Sequence, residues 1–169
     1  VIAEILSECL NVNSKNIFIG NGAIEIIQAV IHNFTKKKII VNIPTFSSYY
    51  EFVKEGTEII FNKLEKDENY RLNVQKYLEV VKREKPDTIV IINPNNPDGG
   101  YVKYTDIKFL LANLTEVETV IIDESFIHFA YEDETYEMKS ATELVKDYPN
   151  LIVIKSMSKD FGIAGVRAG

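Results

Sequence analysis

Residues 88–100 read TIVIINPNNPDGG, five β-branched residues followed by a turn-rich stretch that mixes prolines, asparagines and glycines. A continuous apolar run of this length suits a strand covered on both faces of a sheet, not one wetted on one side. Pro94 and Pro97 remove backbone donors and fix the chain just after it, while the asparagines offer side-chain amides to a ligand. A plain connection rarely needs so many restricted residues. Of the two X-Pro bonds, Asn96–Pro97 is the one expected to be cis.

Outward from this stretch, β-branched runs recur at Lys38–Ile43, Glu58–Phe61, Thr119–Asp123 and Leu151–Lys155. Between them, helical periodicity fills Ala23–Phe34, Ser47–Glu55, Val74–Glu84, Tyr104–Ala112 and roughly residues 141–146. This alternation predicts an α/β fold, three layers α/β/α about a mostly parallel central sheet. In open sheets of this kind ligands gather beyond the carboxyl ends of the strands. Residues 93–100, Asp123 and residues 156–159 are therefore expected to share one edge.

At 169 residues and 46% hydrophobic composition, the chain has apolar material for one core and too little for two ordinary domains. A formal charge of −6 gives no reason to expect nucleic-acid binding, and the Lys36–Lys38 run is too short to change that. No run approaches the roughly 20 apolar residues that span a bilayer. With no signal segment at its start, a cytoplasmic location is the default expectation. Cys9 cannot build a disulfide framework and reads as a half-buried helix thiol. Ile2, Ile5, Leu6 and Leu10 recur at helical spacing from the first residues, and the chain stops at Gly169 after a loop-like run. Truncation at both ends is the expectation.

Four segments could carry chemistry. Gly20-Asn21-Gly22-Ala23-Ile24-Glu25 follows a short apolar run and opens a helix, so its amides could hold an anion. It half-matches a dinucleotide fingerprint, but Glu25 stands where the third glycine is needed, and a Walker lysine is absent. The second segment is the asparagine-proline loop. Third, Asp123 closes the apolar run Val120-Ile121-Ile122, and a carboxylate at the rim of a buried sheet suits a protonated heterocycle nitrogen. Fourth, Ser156-Met157-Ser158-Lys159 leads into Phe161-Gly162-Ile163-Ala164-Gly165-Val166-Arg167. If that segment is extended, Ser156 and Ser158 face one side and Lys159 the other. Arg167 suits forked phosphate binding, and a lysine at a low-dielectric edge can attack a carbonyl carbon.

Taken together and in this order, GNGAIE, PTF, NPNNPDG, DES and SMSKDFGIAGVRAG resemble fold-type I pyridoxal-phosphate (PLP) enzymes, the class I/II aminotransferases of the aspartate aminotransferase superfamily. The similarity is greatest to the branch holding the histidinol-phosphate aminotransferases and the threonine-phosphate decarboxylases. It covers essentially the whole chain. The resemblance implies that residues 1–169 are a PLP-binding large domain, truncated at both ends, whose small C-terminal domain lies outside the chain. It implies that Lys159 holds PLP covalently and then carries the proton at the substrate α-carbon. Asp123 would pair with the ring nitrogen, Asn96 with the ring 3-oxygen, and Phe46 would stack on the ring face. The phosphate would lie on the Ala23 and Ile24 amides with Ser156, Ser158 and Arg167. Small amino-acid and 2-oxo-acid substrates and a homodimeric parent are implied, with no nucleic acid and no membrane.

Three departures from the family pattern bear on activity. Phe126 stands where many aminotransferases carry a tyrosine, and Ile24 replaces a frequent acid; both look more like the decarboxylase side. Asp98 replaces a threonine, which a turn tolerates. His128 and His32 read as structural or surface residues, and Glu132–Glu137 as a solvated acidic loop. The leading expectation is amino-group transfer between an amino acid and a 2-oxo acid, in a full-length parent and not in this fragment. Decarboxylation of an amino-acid phosphate is the close second, and a non-catalytic sensing or structural module is the reading from another class.

Overall fold

The computed structural model describes residues 2–135 and 137–169, and its organising element is one sheet of five parallel strands. These are β1 (Lys38–Ile43), β2 (Glu58–Lys63), β3 (Thr88–Ile92), β4 (Thr119–Asp123) and β5 (Leu151–Ile154), in the order β2-β1-β3-β4-β5. The helices are α1 (Ile2–Leu10), α2 (Ala23–Phe34), α3 (Ser48–Glu51), α4 (Val74–Glu84), α5 (Tyr104–Asn113) and α6 (Met157–Asp160). Among the described residues, no helix is long and apolar enough to cross a membrane.

Alternation along the central strands builds two cores. Ile40, Ile89, Ile91, Val120 and Ile122 point to one face and pack under α4 and α5 through Tyr77, Leu78, Val81, Ile107, Leu110 and Leu111. Ile39, Val41, Val90, Ile92 and Ile121 point to the other, beneath Ile26, Ile27, Val30 and Ile31 of α2. Side chains two apart share a face, so a run apolar at every position needs a cover on each side. That is the expected three-layer α/β/α arrangement, and β3 and β4 are buried at every residue. The edge strand β2 is different, with no fully buried residue and exposed positions at Glu58, Phe61 and Lys63.

Several boundaries depart from expectation for local reasons. β2 runs on through Asn62 and Lys63 because the ladder with β1 continues to Ile43↔Lys63, and the Asn62 amide donates to Asn42 Oδ1 at 2.8 Å. The helix expected over 47–55 is only the short α3, after which Phe52 and Val53 pack against the α2-side core. Residues 141–146 contain a 3-10 turn, Ala141–Leu144, capped by the Ser140 hydroxyl. The segment after β5 is a helical turn and not extended, the Ser156 carbonyl accepting from the amides of Lys159 and Asp160, both at 2.9 Å. Ser156 and Ser158 are nevertheless buried and Lys159 exposed. Asn96–Pro97 is cis, and so are Asn93–Pro94 and Ile43–Pro44. Cys9 is exposed instead of half-buried.

Candidate active site

Parallel strands in register bring their following loops to one edge: Ile92 pairs with Asp123, and Asp123 with Ile154. The segments containing Asn96, Asp123 and Lys159 all leave the sheet there.

The loop after β3 is held by its own asparagines. Asn93 clamps Val102, donating to its carbonyl at 3.0 Å and accepting from its amide at 2.8 Å. Asn95 donates to the Pro44 carbonyl at 2.9 Å and to Asp98 at 2.5 Å, and accepts from the Thr45 hydroxyl at 3.0 Å. This ties the loop after β3 to the Pro44-Thr45-Phe46 segment after β1. Two of the three asparagines thus serve the scaffold, and the third is Asn96. Asn96 lines a cavity of about 620 Å³ with Tyr101, Phe126, Phe129 and Tyr131, within the range of small-ligand sites.

Phe126 connects that cavity to the lysine. Its ring lies 4.4 Å from Lys159 Nζ, measured to the centroid, so the lysine rests against an aromatic side chain that lines the same cavity as Asn96. Asp123 is 3% exposed, and its two oxygens are each held by one donor: Oδ1 accepts from the Ser125 amide at 2.8 Å, and Oδ2 from the Tyr49 hydroxyl at 2.6 Å. Each oxygen retains acceptor capacity for a cationic N–H. Burial first, then the adjacent Asp123 carboxylate, push the Tyr49 phenol well above its ordinary range, so it remains a donor. Phe46 is half-buried against the α2-side core, three residues before Tyr49.

A second group of contacts gathers at the start of α2. Gly22, at φ 89°, precedes the helix, and a Cβ there would lie 3.1 Å from Arg167 Nη2, so the guanidinium stands beside the helix terminus. Gly20 and Gly169 exchange backbone hydrogen bonds at 3.0 and 3.2 Å. A Cβ on Gly169 would come within 2.5 Å of the Ala23 nitrogen, a space that only glycine leaves open. Ser158 donates through its amide at 3.2 Å and its hydroxyl at 3.3 Å to the Ala168 carbonyl. Ala23, Arg167 and Ser158 are thereby linked through one backbone segment, with Ser156 buried two residues before Ser158. Ile24 is 40% exposed and lies in the first turn of α2.

Other charged groups near this edge have structural partners. Glu124 is buried, accepts from the Ala141 amide at 2.6 Å and from the Ser140 hydroxyl, and lies 3.9 Å from Lys155. Burial pushes its carboxyl upward. Burial likewise raises Asp160, which sits 3.7 Å from Lys155 and 3.6 Å from His128. His128 is at the surface, and His32 is exposed on α2. Glu132 corrects the expectation of a solvated loop: its carboxylate accepts from the Tyr101 hydroxyl at 2.7 Å and the Tyr104 amide at 2.5 Å, anchoring the start of the segment. Tyr136, within Glu132–Glu137, lies outside the described residues.

The donor set fits a flat, phosphate-bearing heterocycle. A helix N-terminus with an adjacent guanidinium suits a phosphate, a buried carboxylate held by neutral donors suits a protonated ring nitrogen, and an amine against the Phe126 ring suits a carbonyl carbon. Sequence reasoning missed Tyr49. Its partner is 74 positions away, and its one local signal was its place in the helical turn that follows Phe46.

The model of the family described as Aminotransferase class I and II matches residues 2–169. An L-serine phosphate decarboxylase of Campylobacter jejuni is 57% identical over 169 residues, which is 100% of this chain and 43% of that protein. A histidinol-phosphate aminotransferase of Clostridium novyi is 37% identical over 172 residues, 99% of this chain and 45% of that protein. The solved structure of a decarboxylase from Sulfurospirillum multivorans superposes with a TM-score of 0.93 at 50% identity, covering 99% of this chain and 47% of that one. The chain therefore spans less than half the length of the relatives it matches.

Proposed function

We propose, from the premise that this chain belongs to the class I and II aminotransferase family, that it is part of the cofactor-binding large domain of a PLP-dependent enzyme that decarboxylates an O-phosphorylated L-amino acid. This replaces amino-group transfer as the leading reading. The observation that carries it is the gap in similarity: 57% identity to an L-serine phosphate decarboxylase against 37% to a histidinol-phosphate aminotransferase, over the same residues. Ile24 and Phe126, two of the three departures from the family pattern, point the same way.

The cofactor is pyridoxal 5'-phosphate. When bound, it supplies a conjugated electron sink for the pair released at the substrate α-carbon. In this reading Lys159 would hold the cofactor's carbonyl carbon, and its free amine would hold the proton that the substrate α-carbon takes as the carboxylate leaves as CO2. Asp123 keeps the ring nitrogen protonated, the Asn96 amide holds the ring oxygen, and Phe46 covers one ring face. Arg167, the hydroxyls of Ser156 and Ser158, and the Ala23 and Ile24 amides bind the phosphate.

Full-length protein given PLP and O-phospho-L-serine tests the reading. It predicts CO2 and O-phosphoethanolamine in equal amounts, without any requirement for a 2-oxo acid. Amino transfer to a 2-oxo acid with the carboxylate retained would return the reading to the aminotransferase. A homodimeric parent is proposed alongside, and light scattering on the full-length protein checks it.

A further inference from the structure

We infer that Tyr49 is a positioning residue for this site: its hydroxyl orients the Asp123 carboxylate toward the cofactor's ring nitrogen, and one helical turn carries both that donor and the ring-covering Phe46. The inference rests on the reading of Asp123 as the ring-nitrogen partner.

Tyr49 is 0% exposed, and its hydroxyl lies 2.6 Å from Asp123 Oδ2, while the Ser125 amide takes Oδ1 at 2.8 Å. Two donors on different oxygens fix both the plane of the carboxylate and its rotation about the side chain. Both donors are neutral, so the carboxylate keeps its full charge for a cationic partner. A lysine or arginine in the same place would satisfy the buried charge and compete with the ring nitrogen for it. The phenol solves the burial of Asp123 without that competition, which suits a carboxylate kept for something not covalently part of the chain.

The placement follows from the backbone. Tyr49 belongs to α3 and its amide donates to the Phe46 carbonyl at 3.4 Å, so the turn that begins at Phe46 sends the Tyr49 side chain under the sheet edge. The preceding residues Pro44 and Thr45 bond Asn95, in the loop that carries Asn96. Displacing this turn would therefore disturb the ring-face, ring-nitrogen and ring-oxygen partners together.

The test uses full-length protein and measures PLP affinity and the pH dependence of the bound cofactor's visible absorbance. Tyr49→Phe keeps the ring and deletes the hydroxyl. It should weaken PLP binding by about 10–100-fold and move the absorbance titration, as loss of a supporting hydrogen bond to a charged ligand does. Tyr77→Phe is the control, since Tyr77 is 1% exposed and its hydroxyl has no hydrogen-bond partner among the described residues; it should leave both readouts unchanged. In an Asp123→Asn background, Tyr49→Phe should add little, because its effect passes through Asp123. That comparison also separates this role from a loss of folding, which would add in full. Wild-type-like affinity and titration in Tyr49→Phe, with Asp123→Asn impaired, would overturn this inference alone. Wild-type-like binding by Asp123→Asn would overturn the reading of Asp123 and this inference with it.

Discussion

Lys159 Nζ stands 4.4 Å from the centre of the Phe126 ring, which itself lines the cavity that Asn96 borders. A nitrogen over an aromatic face is attracted when it carries charge and is packed when it does not, so Phe126 restricts where the lysine can reach. Phe126→Leu keeps apolar volume and removes the face. We expect the affinity of full-length protein for PLP to fall about two- to fivefold, the scale of an exposed cation–π contact. Unchanged affinity, measured by absorbance titration, would show that the ring does not hold the lysine.

The start of α2 gives a stricter expectation. Because a Cβ on Gly169 would meet the Ala23 nitrogen at 2.5 Å and the Gly22 carbonyl carbon at 2.7 Å, Gly169→Ala must move backbone and not a flexible side chain. Overpacking of this kind costs about 1–3 kcal/mol, equivalent to about 5- to 150-fold in binding if it falls on the phosphate site. PLP affinity should drop accordingly. Gly165→Ala, where a Cβ meets open space, should bind as wild type does.

Asp87 supplies a test of the scaffold remote from the site. Its oxygens accept from the amides of Lys36 at 2.9 Å and of Lys37 and Lys38 at 2.7 Å, and from the Thr88 hydroxyl at 2.9 Å. Burial alone would raise this carboxyl, but these donors outweigh it and hold the group below its usual 3.8. A depressed native value means that the folded state binds the proton less readily than the unfolded one. The contribution is therefore complete above the ordinary carboxylate value of 3.8 and is lost as pH falls below it, through the lower native-state value. Urea midpoints of wild type should decline on acidification through this window, and those of Asp87→Asn should start lower and decline less. Hydrogen exchange should quicken at residues 36–38 in the variant.

The parts of the fold that were legible in the sequence are those whose signal is local. The bounds of β3 and β4 match their runs of Ile and Val because every residue in them is buried, and α2 and α4 were readable from an apolar stripe along their length. α6 was misread because four residues are too short for any period to show, and β2 because its last two residues are held by pairing with β1. In the site, the segments were readable as motifs, while the contacts between them were not. Arg167 beside Gly22, Tyr49 on Asp123 and Asn95 on Pro44 are made by chain positions far apart. Asparagine content suggested three ligand amides, and only the fold shows that Asn93 and Asn95 are used in holding the loop. Glu132 looked like one acid among several until two donors from the start of α5 and the residues before it were found on its carboxylate.

The central claim is that Lys159 is the amine that takes the cofactor. Full-length protein loaded with PLP, reduced with borohydride, digested and sequenced by mass spectrometry should carry one pyridoxyl label, on the peptide that contains Lys159, and Lys159→Ala should carry none. A label that persists in Lys159→Ala, or that sits on the nearby Lys155, would contradict the account.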